Sequence, residues 1–264
     1  MRVSIVNCVS TAAEMMRYSD QSLFNNAHHD DFDYVVVKWL ASPEVDKYLE
    51  ELQDSYAFDD IPRKPLVHVI EHKTDDSIGF VPNLREMMNE GFVKAFELNQ
   101  YAGLANTDCY FGPYWLKNLV QYAEPELVVN SLHLTAATAP NPVMGIVTED
   151  LGIPIQGKFN LSRFIELFAE RYKDQLVFAD QLNTSNGYRE CATMPYLFHH
   201  KWWEKCGPWE PKCVDGQSPD VRFFDRLRDG GARYALALNS IVYHAEAIER
   251  RSKRPVGTEN LPEE

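Results

Sequence analysis

Three residues could do chemistry together. Asp108 closes the run Leu104-Ala105-Asn106-Thr107-Asp108, Asp220 follows Pro219, and His244 ends the apolar run 234–243. A carboxylate with an imidazole suits Mn2+ or a similar ion of intermediate softness. Carboxylate oxygens also suit Mg2+, and such hard cations bridge to phosphates. A second carboxylate left off the metal could be a general base. Each residue also has a plainer use. Asp108 could be a turn aspartate capping a helix that starts near Pro113. Asp220 could simply place favourable charge at a helix N-terminus. His244 could be a satisfied imidazole at a strand end.

The elements that must position these groups can be read from the pattern. Residues 3–9 are rich in β-branched side chains and read as a buried strand. Ser10 or Thr11 could then cap a helix over 12–26. A strand at 34–40 comes next, then Ser42-Pro43-Glu44, a helix start with proline in its first turn. That helix runs to about residue 56, and 66–70 is a third strand. This alternation is the signature of a parallel sheet with crossover helices. A helix over 82–99 precedes a strand whose carboxyl end delivers Asp108, and ligands of open α/β sheets sit beyond that edge. Further expectations are a short helix at 114–123, a strand at 127–134 and a Pro/Gly-rich loop at 135–156. Asn160 opens a helix to 172, and 177–182 is a short apolar strand before a turn at 183–187. Then come an aromatic-rich segment at 194–209, a helix at 219–231 and a last strand at 234–243. The fold class is α/β, one domain with a mostly parallel sheet flanked by helices.

The 264 residues are 45% hydrophobic and 25% charged, which is ordinary for a globular chain. The net charge of −13 argues against non-specific nucleic-acid binding. Arg250-Arg251-Ser252-Lys253-Arg254 is the one basic cluster, a solvated run or a receiver for an anionic acceptor. The five cysteines (8, 109, 191, 206, 213) lack zinc-ligand spacing; Cys206 and Cys213 could pair, but reduced thiols are the default. His28-His29-Asp30-Asp31 reads as a solvated turn, because adjacent side chains diverge. The N-terminus lacks a signal-peptide pattern and no apolar run reaches membrane-span length. The expectation is a cytoplasmic protein without stable membrane insertion.

With these parts in order, the chain resembles glycosyltransferases of the A-type (GT-A) fold, in particular the family 2 group. Asn106-Thr107-Asp108 resembles the Asp-x-Asp motif of that family. Pro219-Asp220-Val221-Arg222, with Arg226-Leu227 and Gly231 after it, resembles the Glu-Asp-x-Asp motif. The segment 198–209 is similar to the stretch before the acceptor site, and Val242-Tyr243-His244 resembles the late strand whose histidine completes the metal site. The resemblance implies a metal-dependent, inverting sugar transfer from a nucleotide-sugar donor, a UDP-sugar first among them, by a small enzyme of bacterial or phage type. Asp108 and His244 would hold Mn2+ or Mg2+, and Asp220 would deprotonate the acceptor hydroxyl. Ser10, Thr11, Lys38, Arg85, Asn106 and Thr107 would face the donor, and His199, Trp202, Trp203 and Trp209 the acceptor. Residues 1–126 would form the donor half, 127–249 the acceptor half and 250–264 a charged tail.

The departures keep other readings open. Asn106 replaces the first acid of one motif, and Pro219 and Arg222 replace two acids of the other. The acid that usually ends the second strand is missing, which leaves the donor base undetermined. A non-catalytic nucleotide-sugar-binding relative fits these losses. A nucleotidyltransferase shares the sheet and metal logic, but the segment 8–13 has neither glycine nor lysine for a phosphate-gripping loop. The acceptor could be a glycan, a lipid-linked sugar or a modified DNA base.

Overall fold

Apolar, β-branched strands that can be buried on both faces dictate the centre of the sheet. Val3, Ile5, Val6, Val35, Val36 and Val37 are all at most 1% exposed, as expected where helices cover both sides. A computed structural model describes residues 1–29, 31–56, 65–75, 79–135, 146–179, 194–210 and 219–245. The expected turn at 183–187, the basic cluster 250–254, Cys191, Cys213 and part of the 135–156 loop lie outside the described residues.

The strands are β1 Val3–Val9, β2 Phe32–Lys38, β3 Leu66–Glu71, β4 Tyr101–Leu104, β5 Cys109–Phe111, β6 Leu127–Thr135, β7 Ile146–Thr148, β8 Leu176–Phe178, β9 Tyr196–His199 and β10 Arg233–His244. The helices are α1 Ala13–Ala27, α2 Pro43–Tyr56, α3 Phe80–Leu98, α4 Trp115–Val120, α5 Leu161–Arg171, α6 His200–Cys206 and α7 Pro219–Asp229. One sheet runs β3-β2-β1-β4-β9-β6-β10-β5, with β7 on β6 and β8 on β10. Parallel pairings (β1–β2, β1–β4, β2–β3, β6–β10, β6–β7) outnumber antiparallel ones (β4–β9, β6–β9, β5–β10, β8–β10).

Strand direction fixes where chemistry can occur. β9 is antiparallel to both β4 and β6, so those two strands share a direction. β10 is parallel to β6, and β1, β2 and β3 are parallel to β4. The carboxyl ends of β1, β2, β4, β6 and β10 therefore lie along one edge. That edge carries Ser10, Lys38, the 105–108 turn, Thr135 and His244.

Two apolar layers hold the sheet. Val6, Phe92, Phe198, Phe223 and Tyr243 belong to one; Ile5, Tyr34, Trp115 and Val242 belong to the other. Among the described residues, no helix is long and apolar enough to cross a membrane.

The structure corrects several expected boundaries. Neither Ser10 nor Thr11 caps α1; the cap position is Ala12, with no side-chain bond. β2 ends at Lys38, and β8 spans Leu176–Phe178, paired with residues 235–237 of β10, while residues 180–182 of the expected strand lie outside the described residues. Asp108 does not end a strand: β4 stops at Leu104 and Asp108 lies in the turn before β5. Nor does it cap a helix, since α4 begins after Tyr114 without a side-chain cap. Ser42 and Asn160 do what their types predict, accepting from Val45 N at 3.3 Å and Arg163 N at 3.1 Å. Cys206 is a free thiol.

A buried carboxylate ties the first three elements together. Asp20 of α1 accepts from Tyr34 Oη of β2 at 2.6 Å and Tyr48 Oη of α2 at 3.0 Å. Asn7 of β1 donates to the Tyr34 hydroxyl at 2.7 Å. Burial lifts the Asp20 carboxyl from its ordinary 3.8 to about 7, against the two hydroxyls that stabilise its charge. The native state thus retains a proton between about pH 4 and about pH 7 that the unfolded chain has released. Stability from this group falls as pH rises through that window. Asp20→Asn removes this dependence. In urea unfolding, the variant's stability relative to wild type should rise by roughly 2–3 kcal/mol between about pH 5 and about pH 8. An unchanged difference would show that Asp20 ionises normally in the folded chain.

Candidate metal centre at the carboxyl edge

The turn after β4 is built to bring Asp108 to β10. Ala105 N donates to Val6 O at 2.8 Å, continuing the β1–β4 pairing for one residue. Cys109 N then folds back to Asn106 O at 3.3 Å, and Ser19 of α1 donates to the same oxygen at 3.3 Å. β5 leaves antiparallel to β10, with Cys109 opposite His244. Ala245 N donates to Asp108 O at 3.0 Å. α1 clamps β5 from behind: Ser22 Oγ accepts from Phe111 N at 3.0 Å, and Asn26 donates to Phe111 O at 2.7 Å. Gly112 closes the strand. A Cβ there would stand 2.7 Å from Ile241 O, so only glycine permits the approach.

β10 reaches the site through a bulge. Its pairing with β6 jumps from Ala237–Ser131 to Ile241–Leu132, leaving residues 238–240 unmatched. Such an insertion bends a strand and re-aims its remaining residues. The bulge is satisfied by polar partners: Asn118 donates to Asn239 O at 2.5 Å, and Ser240 donates to Trp115 O at 2.9 Å.

At the meeting point His244 Nε2 lies 3.0 Å from Asp108 Oδ1, and both side chains are about nine-tenths buried. The carboxylate makes Nε2 the donor. Asn106 Nδ2 lies 3.4 Å from the same nitrogen, a donor that could bond to it only if Nε2 carried no proton. His133 of β6 stacks on His244, with ring centroids 5.1 Å apart. Burial, and then the neighbouring His244, lower His133 to about 3, so it stays neutral at working pH. Its Nε2 is buried without a hydrogen-bond partner. Burial, reinforced by Asp108, pushes the Cys109 thiol well up.

Asp108, Cys109 and His244 each offer a ligand atom, and these atoms lie within 4.8 Å of one another. The donor set fits a divalent cation. Two ligands about 2.1 Å from one ion at octahedral angles are about 3.0 Å apart, the separation of Oδ1 and Nε2. Sequence reasoning passed over Cys109 and His133. Cys109 lacks zinc spacing along the chain and enters only through the β5–β10 register. His133 sits near the carboxyl end of β6 between two leucines, with no local signal of its own.

The other expected site residues divide by edge. Ser10 lies just past β1, with its hydroxyl buried and without a partner; Thr11 beside it is exposed. Asn106 is half-buried and Thr107 is buried in the turn. Lys38 ends β2 and pairs with Asp46 at 2.7 Å. Arg85 is buried on α3. Asp220 is the second residue of α7, a helix whose Phe223 and Phe224 pack against Trp209.

His199 and Trp202 are not brought to this edge. β9 runs against β4, so His199 pairs with Tyr101 at the amino end of the parallel strands. Its Nδ1 accepts from Lys201 N at 3.1 Å, capping α6. Trp202 is buried and donates to Pro125 O at 2.7 Å just before β6, so its indole packs in the core. Trp203 is half-buried against Phe92 and Phe96. With the buried Trp209 it lines a cleft of about 630 Å³ beside Ile70, Glu86 and Glu90, which includes neither Asp108 nor His244.

No protein-family model matches the chain, and no curated protein matches it in sequence. Solved structures do match. S. aureus TarS aligns with a TM-score of 0.60 and 12% identity over 94% of this chain and 37% of TarS. GalNAc-T7, solved with UDP, GalNAc and Mn2+, aligns with a TM-score of 0.55 and 14% identity over 92% of this chain and 43% of its own. The chain spans less than half the length of either. The fold is the A-type glycosyltransferase fold, a Rossmann-like sheet flanked by helices. Replacing Trp202 with alanine should cost about 3–5 kcal/mol in urea unfolding; a loss within experimental error would place the indole outside the core.

Proposed function

We propose that this chain transfers a sugar from a nucleotide-sugar donor, a UDP-sugar first among them, to an acceptor hydroxyl. The observation that carries the reading is the buried Asp108–His244 pair at the carboxyl edge of an A-type sheet. Residues 1–126 supply the donor half, with Ser10 and the 106–108 turn nearest the diphosphate. Residues 127–249 supply the acceptor half. Asp108 and His244 hold a divalent cation, Mn2+ or Mg2+. When bound, the cation neutralises charge on the departing diphosphate.

Asp220 takes the proton of the acceptor hydroxyl. The acceptor oxygen then bonds to the anomeric carbon from the face opposite the diphosphate, and the nucleoside diphosphate leaves with the bonding electrons. One displacement inverts the anomeric configuration. Orienting donor and acceptor supplies much of the rate, and the base adds about 10²–10⁴-fold.

A non-catalytic relative has one observation in its favour. Arg222, where an acid would be expected, pairs with Glu210 together with Arg226, so the segment after Asp220 is tied into a structural ion cluster. Turnover separates the two readings. Asp220→Asn should lower sugar transfer by about 10²–10⁴-fold while nucleotide binding persists; unchanged transfer removes Asp220 as the base.

Donor binding is read by thermal shift with UDP, GDP, CDP and dTDP, each with and without Mn2+. A ligand confined to the native state raises the melting temperature by mass action. The expected result is a metal-dependent shift with UDP that Asp108→Ala abolishes. A shift that survives Asp108→Ala would move the metal elsewhere, and no shift with any nucleotide would favour the non-catalytic reading.

A further inference from the structure

The third member of the buried cluster changes which ion the edge prefers. We propose that Cys109 is itself a metal ligand and biases the site toward thiophilic divalent ions, with Zn2+ bound ahead of Mn2+ and Mg2+. This rests on the reading of Asp108 and His244 as metal ligands.

The register makes the case. Cys109 and His244 are directly opposed residues of antiparallel strands. Opposed residues project from the same face with their Cβ atoms about 4.5–5.5 Å apart. Asp108 precedes Cys109, and the turn bends its carboxylate onto the imidazole at 3.0 Å. The three ligand atoms fall within 4.8 Å of one another, and all three residues are buried. An ion entering the cluster therefore meets one oxygen, one nitrogen and one sulfur donor.

The donor types decide the preference. Mn2+ and Mg2+ favour oxygen ligands, whereas sulfur with imidazole selects Zn2+. Binding replaces the S–H bond with a metal–sulfur bond, and the proton leaves to solvent. Nothing is oxidised or reduced. Phe111, Trp115 and Val242 share the apolar layer in which Cys109 is packed. That packing restricts the thiol, so the preference is a property of the fold.

The test uses the full chain and needs no sugar transfer. Co2+ is titrated into wild type and Cys109→Ser, and near-ultraviolet absorption is read for the sulfur-to-cobalt charge-transfer band. The band should appear in wild type, vanish in Cys109→Ser and survive serine substitution of each of the other four cysteines. In competition, read by the electron-spin signal of free Mn2+, Zn2+ should displace Mn2+ from wild type. Its advantage should shrink by at least about tenfold in Cys109→Ser, the low end of what loss of even an outer-sphere partner costs. The wild-type band does not depend on how well the variant folds. Co2+ bound without the band overturns the cysteine assignment and leaves the Asp108–His244 site standing. No calorimetric binding of Co2+, Zn2+ or Mn2+ overturns both.

Discussion

The hydrogen bond from His244 to Asp108 is the contact on which the rest of the edge depends. It joins a turn to a strand end across more than a hundred residues of chain, and neither side chain could sit there alone. Burying either group unpaired is costly; at 3.0 Å each gives the other a hydrogen-bond partner. The surrounding structure serves that pairing. α1 anchors the turn through Ser19 and the adjoining β5 through Ser22 and Asn26. The β10 bulge re-aims the last strand, and Gly112 lets β5 approach it. His133 stacks a neutral ring against the imidazole without adding a competing charge.

Electrostatics explain why the proposed donor site would need a cation. The chain carries a net charge of −13, and a diphosphate approaching it meets a repulsive field. Several cations near the sheet are engaged in ion pairs: Arg2 with Asp33, Lys38 with Asp46, Arg163 with Glu149, and Arg222 and Arg226 with Glu210. The divalent ion proposed at Asp108 and His244 would bring concentrated positive charge to the edge where the parallel strands end. The Asp20 network does a separate job. It locks β1, β2, α1 and α2 together beneath that edge through one carboxyl and two phenols.

What the sequence made legible was local. β-branched runs announced β1, β2 and β6, and Ser42-Pro43 and Asn160 announced their helices, because those signals act within a few residues. Asp108, Asp220 and His244 stood out together because strand ends and helix starts are where α/β folds place reactive groups. What stayed hidden was direction and register. No residue in 196–199 says that β9 runs against its neighbours, yet that reversal carries His199 and Trp202 to the opposite edge from Asp108. No spacing rule links Cys109 to His244, since their opposition arises only when β5 pairs with β10. Ser10 and Thr11 looked like caps and are not, because the chain leaves β1 toward Ser42 before α1 begins; Ser42 N donates to Ser10 O at 3.2 Å.

The most direct measurement is an anomalous-difference map from crystals of the chain grown with UDP and Mn2+. The account predicts a metal peak within bonding distance of Asp108 Oδ1 and His244 Nε2, with diphosphate oxygens on its open side and the direct hydrogen bond between the two side chains broken. Nucleotide bound with Asp108 and His244 still hydrogen-bonded to each other, and the metal elsewhere, would contradict it.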